Sequence, residues 1–321
     1  MAKGELDFPH FQNDDAAREM LESILWPEGP ICPHCGVVNR AYATKRPGVY
    51  RCAEKGCRKD FSVTMKTVME RSHIALHKWM QAFHLMTSSK KGVSAHQLHR
   101  TLGIGYEAAW FMAHRIREAM RLGGLGPMGG GKVVEADETY IGRLVGQPKR
   151  RGYGHKNTIV TLVERGGSAR SFHVESKRVA DIAPIVRENL SREAKLMTDE
   201  ATHYSEVGRE FASHEAVNHS KDEYVRYWNE ATDKTRPDGK LVVETTTITT
   251  NTVEGYFSIF KRGMRGVYQH CSEKHLHRYL SEFDFRYSHR VALGIGDGER
   301  RTLAIKNAAG KRLTYRGRHS A

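Results

Sequence analysis

The chain has 321 residues and a mass of 36.4 kDa, long enough for two domains and a sizeable core, which excludes a peptide hormone or a disulfide-knotted miniprotein. Its 51 lysines and arginines outnumber 37 acids, giving a formal charge of +14 and a pI near 9.6, so a polyanionic partner is expected. With 39% hydrophobic residues and a mean hydropathy of −0.59 the chain reads as globular rather than as a disordered basic tail, and no stretch approaches the ~20 apolar residues of a membrane span.

Residues 1–30 form a short acidic and aromatic segment with no apolar run ahead of a small-residue cleavage site, so a cytoplasmic protein is expected. In a reducing compartment the five cysteines are better explained by metal or burial than by disulfides. Four of them lie in residues 31–65, where Cys32, Cys35, Cys52 and Cys57 have the spacing C-x2-C-x16-C-x4-C. Two knuckles separated by a hairpin deliver two thiolates each to a tetrahedral zinc, and a closed shell of four leaves no position for water. One structural Zn²⁺ is therefore expected, with His34 the alternative donor. Lys45, Arg46, Arg51 and Arg58 around it favour a nucleic-acid contact, and protein–protein contact is the alternative.

Residues 74–122 read as helical. Leu76, Trp79, Met80, Phe83 and Met86 recur at helical spacing. Ser94 with Gln97 three residues on marks a second helix start, and Gly103-Ile104-Gly105 makes a turn into a third helix bearing Arg115 and Arg117. This is a helix-turn-helix pattern, in which the helix from Tyr106 to Arg121 enters the major groove; a plain helical spacer is the alternative. Residues 123–131, six of nine glycine, read as an interdomain linker.

Three strands follow, Lys132–Ile141, Thr158–Glu164 and Ala169–Glu175, then a helix over Val179–Leu190, a fourth strand Ala194–Thr198, and helices over Val253–Met264 and Lys274–Tyr287. Asp137 sits inside strand-forming sequence and Asp199 ends a short apolar strand, positions where a carboxylate is costly without a cation. Two aspartates on neighbouring strands suit a divalent metal pair. On the helix after them, Asn251, Glu254, Ser258 and Lys261 share one face, so Glu254 can complete the site with Lys261 two turns behind it. Trp228–Thr250 reads as a long polar loop, and the last thirty residues, with Arg300, Arg301, Lys306, Lys311, Arg312, Arg316 and Arg318, as a flexible DNA-touching tail.

Cys32-Pro33-His34-Cys35-Gly36, Glu135-Ala136-Asp137-Glu138-Thr139-Tyr140-Ile141-Gly142, Thr198-Asp199-Glu200, Asn251-Thr252-Val253-Glu254-Gly255 and Lys261-Arg262-Gly263, continuing to Phe283-Asp284-Phe285-Arg286-Tyr287, together resemble the DDE transposases of bacterial insertion sequences that carry an N-terminal zinc ribbon. The resemblance spans nearly the whole chain. It implies a multidomain α+β protein: zinc ribbon (31–65), helix-turn-helix module (74–122), an RNase H-like catalytic domain with a mixed sheet (132–290) and a basic tail (291–321). It implies Asp137, Asp199 and Glu254 as the DDE triad, Lys261 as the basic residue after it, and two Mg²⁺ or Mn²⁺ ions. The third ligand is Glu254 or, one turn away, Asn251. Arg115, Arg117, Lys261, Arg262 and Arg265 are the expected DNA contacts. The implied partners are double-stranded DNA, as element ends and target, and further copies of the chain on that DNA, close to the nucleoid; no membrane is involved. A DNA-binding regulator with an inert RNase H-like half and a sequence-unspecific nuclease are the competing readings.

Overall fold

The computed structural model describes residues 4–176, 178–201, 204–235 and 241–314, and the chain separates into two compact units. The first holds residues up to Gly123 and returns for residues from His289 onward. It opens with α1 (Asp14–Leu25), where Asn13 caps the start by accepting the N–H groups of Asp15 (2.8 Å) and Ala16 (3.1 Å). Ala17, Leu21 and Ile24 form its buried stripe. The acidic and aromatic segment thus contributes a helix to this unit. Trp26 packs edge-on against Tyr50 and Phe61, and the Tyr50 hydroxyl donates to Glu22 at 3.0 Å, which fastens α1 to the antiparallel sheet β1 (Ala41–Ala43), β2 (Tyr50–Cys52) and β3 (Asp60–Phe61).

Three helices follow: α2 (Leu76–Ser88), α3 (Ala95–Leu102) and α4 (Tyr106–Met120). Ser94 caps α3 by accepting the Gln97 N–H at 3.1 Å, and Gly103, left-handed at φ 59°, ends it. The α3–turn–α4 succession has the expected length. However, Arg117 is 2% exposed, and half-buried Arg115 donates to the Leu313 carbonyl at 3.2 Å with its guanidinium 4.9 Å over the Phe111 ring. Of the two expected DNA contacts, Arg117 is thus buried within the unit and Arg115 is half-exposed and bonded to its backbone. Helical spacing located the residues but not which face the rest of the unit covers.

The second unit is an α/β sandwich built on a five-stranded sheet. Its strands are β4 (Val133–Ile141), β5 (Asn157–Glu164), β6 (Ala169–Val174), β7 (Lys195–Thr198) and β8 (Ser213–Ala216), in the order β6-β5-β4-β7-β8. The first three pair antiparallel and the last two join in parallel. Between them lie α5 (Val179–Asn189) and the single-turn α6 (Ser205–Gly208). Val134, Ala136, Val160, Leu162 and Leu196 face Ile182, Val186 and Val207 on one side of the sheet. On the other, Ile141, Ile159 and Val163 meet α7 (Asn251–Gly263) and α8 (Glu273–Ser288) through Val253, Phe257, Phe260, Leu280 and Phe283. Alternation along β4 therefore sends even-numbered residues to one layer and odd-numbered ones to the other.

Two loop expectations are corrected here. Within residues 123–131, Met128 is 4% exposed and exchanges backbone hydrogen bonds with Asn189 and Ser191, and Gly129 N–H donates to Glu164 at 3.0 Å. Gly129 has φ +81°, and a Cβ there would come within 2.5 Å of Val134 Cγ2, so only glycine lets the chain enter the sheet this way. Half of the apparent linker is docked. The expected polar loop 228–250 is largely an antiparallel hairpin, β9 (Arg226–Thr235) and β10 (Leu241–Ile248), with Ile248 buried against Met197 and Val217. Its alternation of Thr, Tyr, Trp and Val is ordinary strand chemistry hidden by the high polar content.

The chain then rejoins the first unit as α9 (Asp297–Lys306), packed against α2, α1 and α4. Arg300, 6% exposed, donates to the carbonyls of His289, Thr87 and Ile295 and to Asp297; Arg301, 5% exposed, pairs with Glu5 at 3.0 Å over the Phe11 ring. The expected flexible tail is, through these residues, a docked helix whose arginines bond protein rather than DNA. Lys311 likewise donates to the Ala119 carbonyl at 3.2 Å. Arg316 and Arg318 lie outside the described residues.

Candidate active site and metal centres

Parallel pairing of β4 with β7 aligns Val133 with Lys195 and Glu135 with Met197. Two residues further in the same register stand Asp137 and Asp199, the latter just past the end of β7, both on the odd-numbered layer that α7 covers. Helix α7 packs against β4 and β5. The three elements enclose a cleft of about 370 Å³ lined by Asp137, Glu138, Asp199, Glu254, Phe257, Ser258 and Lys261. The sequence-predicted acids and lysine therefore share one site. Asn251, exposed at the first position of α7, does not line it.

Each acid is held. Asp137 accepts the N–H of Glu138 at 2.7 Å, Asp199 that of Ala201 at 3.0 Å, and Glu254 the Thr250 hydroxyl at 3.1 Å. Burial, then the charges of Asp199 and Glu138, pushes the Asp137 carboxyl up to about 8. A carboxyl kept protonated by burial and like charge is a donor waiting for a cation, and oxygen donors of this kind suit Mg²⁺ or Mn²⁺. On that test the donor set fits a divalent metal. Burial and neighbouring Arg265 hold Lys261 below its usual range, while Asp137 opposes the shift.

Sequence reasoning missed the residues that fix this geometry. Glu135, 0% exposed and two residues before Asp137 on the same layer, accepts the N–H of Thr252 (2.8 Å), the N–H of Val253 (3.0 Å) and the Thr252 hydroxyl (2.8 Å). A carboxylate from the central strand thus caps the helix that carries Glu254, where the positive end of the helix dipole favours it. Arg165 balances its charge, donating to Glu135 at 2.6 Å and to the carbonyls of Thr247 and Thr249 at 2.5 and 2.9 Å. Fully buried Tyr204 donates from its hydroxyl to Glu138. The acid repeated every second residue, Glu135 and Asp137 in an apolar strand, was the signal available in the sequence.

The middle of α7 rests on a second polar tie. Asp284 of α8 accepts the N–H (2.8 Å) and hydroxyl (2.7 Å) of Ser171 on β6 and the hydroxyl of Tyr256 (2.6 Å) on α7. Burial pushes its carboxyl up to about 6 against those hydrogen bonds.

In the first unit, Cys32 Sγ lies 3.7 Å from Cys57 Sγ and Cys35 Sγ 3.6 Å from Cys52 Sγ, and all four sulfurs fall within 4.8 Å of one another. A tetrahedron with Zn–S bonds of ~2.3 Å has edges of about 3.8 Å, so the set fits one structural zinc. Burial and the neighbouring sulfurs push the Cys52 thiol up to about 12. Against burial, the backbone of Cys35 and His34 brings Cys32 down to about 7. His34 instead sits 3.3 Å from the Asp60 carbonyl through Nε2.

A profile of the ISXO2-like transposase domain matches residues 128–288, beginning at the docked Met128, and one of a transposase zinc-ribbon domain matches residues 12–60, α1 included. A protein of Halobacterium salinarum described as "Uncharacterized protein in transposable element ISH50" is 28% identical over 305 residues, covering 86% of this chain and 91% of its own length. With half of its length, the cleft included, matched by the first profile and its cysteine centre by the second, the chain belongs to the ISXO2-like transposases with an N-terminal zinc ribbon.

Proposed function

We propose that the chain cuts DNA at the ends of an insertion sequence and joins the freed 3′ ends to target DNA. The observation that carries this reading is the meeting of Asp137, Asp199, Glu254 and Lys261 in one cleft. The sheet order, three antiparallel strands continued by two parallel ones with the first strand at the centre, supports an RNase H-like scaffold.

Asp137, Asp199 and Glu254 would hold the catalytic cations; Glu254 is preferred to Asn251 because it lines the cleft. Bound there, a pair of Mg²⁺ or Mn²⁺ ions would supply Lewis-acid activation of the attacking and leaving oxygens in an in-line phosphoryl displacement. The chain's own contribution is position and charge. Lys261 Nζ offers a cation to a phosphate oxygen, and exposed Arg262, near the end of α7, and Arg265, just beyond it, extend that charge. Arg262 is steered by its own hydrogen bonds to the Ser258 carbonyl (3.1 Å) and hydroxyl (2.6 Å). Phe257 and Ser258 wall the cleft against α7.

The net charge of +14 supplies the phosphate attraction that double-stranded DNA requires. Joining two element ends calls for more than one copy of the chain on DNA, and the chromosome places the activity in the cytoplasm, at the nucleoid. Among the described residues no helix is long and apolar enough to cross a membrane.

The test incubates the purified chain and Mg²⁺ with labelled DNA carrying the gene's own flanking sequence, beside Asp199→Ala. Nicks at defined ends and joined products, made only by the wild type, are expected. Specific binding with no cleavage would replace this reading with a DNA-binding regulator, and cleavage without end preference or joined products would replace it with a nuclease.

A further inference from the structure

Along β4 and α7, in the same order on both elements, the carboxylate cleft is succeeded by a second cavity of about 250 Å³. Asp137 and Glu138 line the first and Tyr140 to Gly142 the second; Ser258 and Lys261 line the first and Met264 and Arg265 the second. Three residues of strand advance about 10 Å and five of helix about 7 to 8 Å. At ~3.4 Å of rise per nucleotide, that is two to three steps along a DNA strand.

The two cavities differ in sign. The cleft presents four carboxylates and one lysine. The second cavity has no carboxylate in its lining and two cations, Lys156 and Arg265. Its floor is apolar, from Ile141, Met264 and Leu276, and the amides of Asn157 and Gln269 border it. Tyr140 borders it from the end of β4, with its ring on the even-numbered face of the strand and stacked on Tyr153 at 4.5 Å between centroids and 3° between planes, and Lys156 Nζ lies 5.0 Å over the Tyr153 ring. The preceding loop carries Arg143, Lys149, Arg150 and Arg151, all exposed. A cation site beside this cavity and an anion site within it are what one DNA strand needs if its scissile phosphate lies over the acids and its chain continues past them.

We propose that this cavity is a nucleotide subsite: it takes one nucleotide of the strand flanking the scissile phosphate, its phosphate held by Arg265 and Lys156 and its base seated on the apolar floor between the Asn157 and Gln269 amides. The inference rests on the DNA-cleaving reading of the neighbouring cleft. A base drawn out of the duplex costs a few kcal/mol of stacking and gains pocket contacts in return, so the subsite also makes cleavage depend on what lies beside the cut.

The experiment uses the full-length chain with Mg²⁺ and end DNA in which single phosphates around the cut are replaced in turn by neutral methylphosphonates, and single bases by abasic sites. For the wild type, one methylphosphonate within three nucleotides of the cut is expected to slow cleavage about tenfold or more, the value of a charged hydrogen bond. Arg265→Ala and Lys156→Ala, slower on unmodified DNA, should be indifferent to that one methylphosphonate, and Gln269→Ala to the abasic site at the same nucleotide. Equal sensitivity of wild type and variants, or no sensitive position within three nucleotides, would overturn the subsite while leaving the catalytic assignment standing. Failure of the wild type to cut unmodified DNA would instead remove the cleaving reading and the subsite with it.

Discussion

The thiol centre and the carboxylate cleft both gather donors fit for metal, but they do so by opposite routes. Cys32, Cys35, Cys52 and Cys57 come from two short knuckles on either side of one hairpin, and their sulfurs close on each other. Asp137, Asp199 and Glu254 come from a central strand, the end of its parallel neighbour and a helix on the sheet face, segments spread over more than a hundred residues of the chain. The first set is shut, so its metal has structural work only. The second opens into a cleft with a lysine beside it and space for a phosphate. The difference shows up in what supports each: the thiols need only their metal, whereas the acids need a scaffold of buried polar ties, Glu135 with Arg165 at the start of α7 and Asp284 with Ser171 and Tyr256 at its middle.

That contrast can be broken most sharply at the ribbon. Structural zinc contributes on the order of 10 kcal/mol to the folding of small metal-built modules. Cys52→Ser, or chelation of the wild type, should therefore release residues 31–65 to protease while residues 128–288 stay resistant. Zinc stoichiometry and limited proteolysis check this; an equally resistant ribbon without zinc would mean that the apolar cluster around Trp26, Tyr50 and Phe61 suffices.

A smaller effect is expected at the helix clamp. Glu135→Ala removes the buried half of an ion pair, leaving half-buried Arg165 only its two carbonyl acceptors, and uncaps two N–H groups, a loss of about 3–5 kcal/mol. Denaturant unfolding monitors it, and a change under about 1 kcal/mol would show that packing of Val253 and Phe257 alone seats α7.

The smallest effect concerns the other tie and depends on pH. Burial raises the Asp284 carboxyl to about 6 from the usual 3.8, so the folded chain holds this proton more tightly than the unfolded one. Its contribution is full below pH 4, falls as pH rises towards 6, and is constant above, a total on the order of 3 kcal/mol at ~1.4 kcal/mol per pK unit. Relative to Asp284→Asn, which cannot titrate, the wild type should lose that much stability between pH 4 and pH 6.5. Parallel stability profiles for the two proteins would place the carboxylate in a better-solvated site than the structure indicates.

Much of the fold was legible locally. The strands from Lys132 to Glu175, the helix Val179–Leu190 and the helices around Glu254 and Phe283 fall within a few residues of the observed elements, because each carries an unbroken apolar period. What failed had its period diluted. The β9–β10 hairpin hid among threonines, and α9 hid between Gly294, Gly296 and Gly298 and a run of arginines. Charge misled in the same way. Arg117, Arg300 and Arg301 looked like DNA contacts because arginine is usually exposed, yet each is nearly buried.

Which four cysteines come together and which aspartates line the cleft could be read locally, because knuckle spacing and a carboxylate inside an apolar strand are local features with a local physical cost. Only the tertiary structure decided which of Asn251 and Glu254 lines the cleft, that Glu135 and Arg165 anchor the helix bearing it, and that a positively charged cavity follows the acidic one. Those facts depend on the register of β4 against β7 and on the docking of α7. Pairing and docking of that kind are fixed by burial and hydrogen bonding between segments far apart in the chain, and no local pattern encodes them.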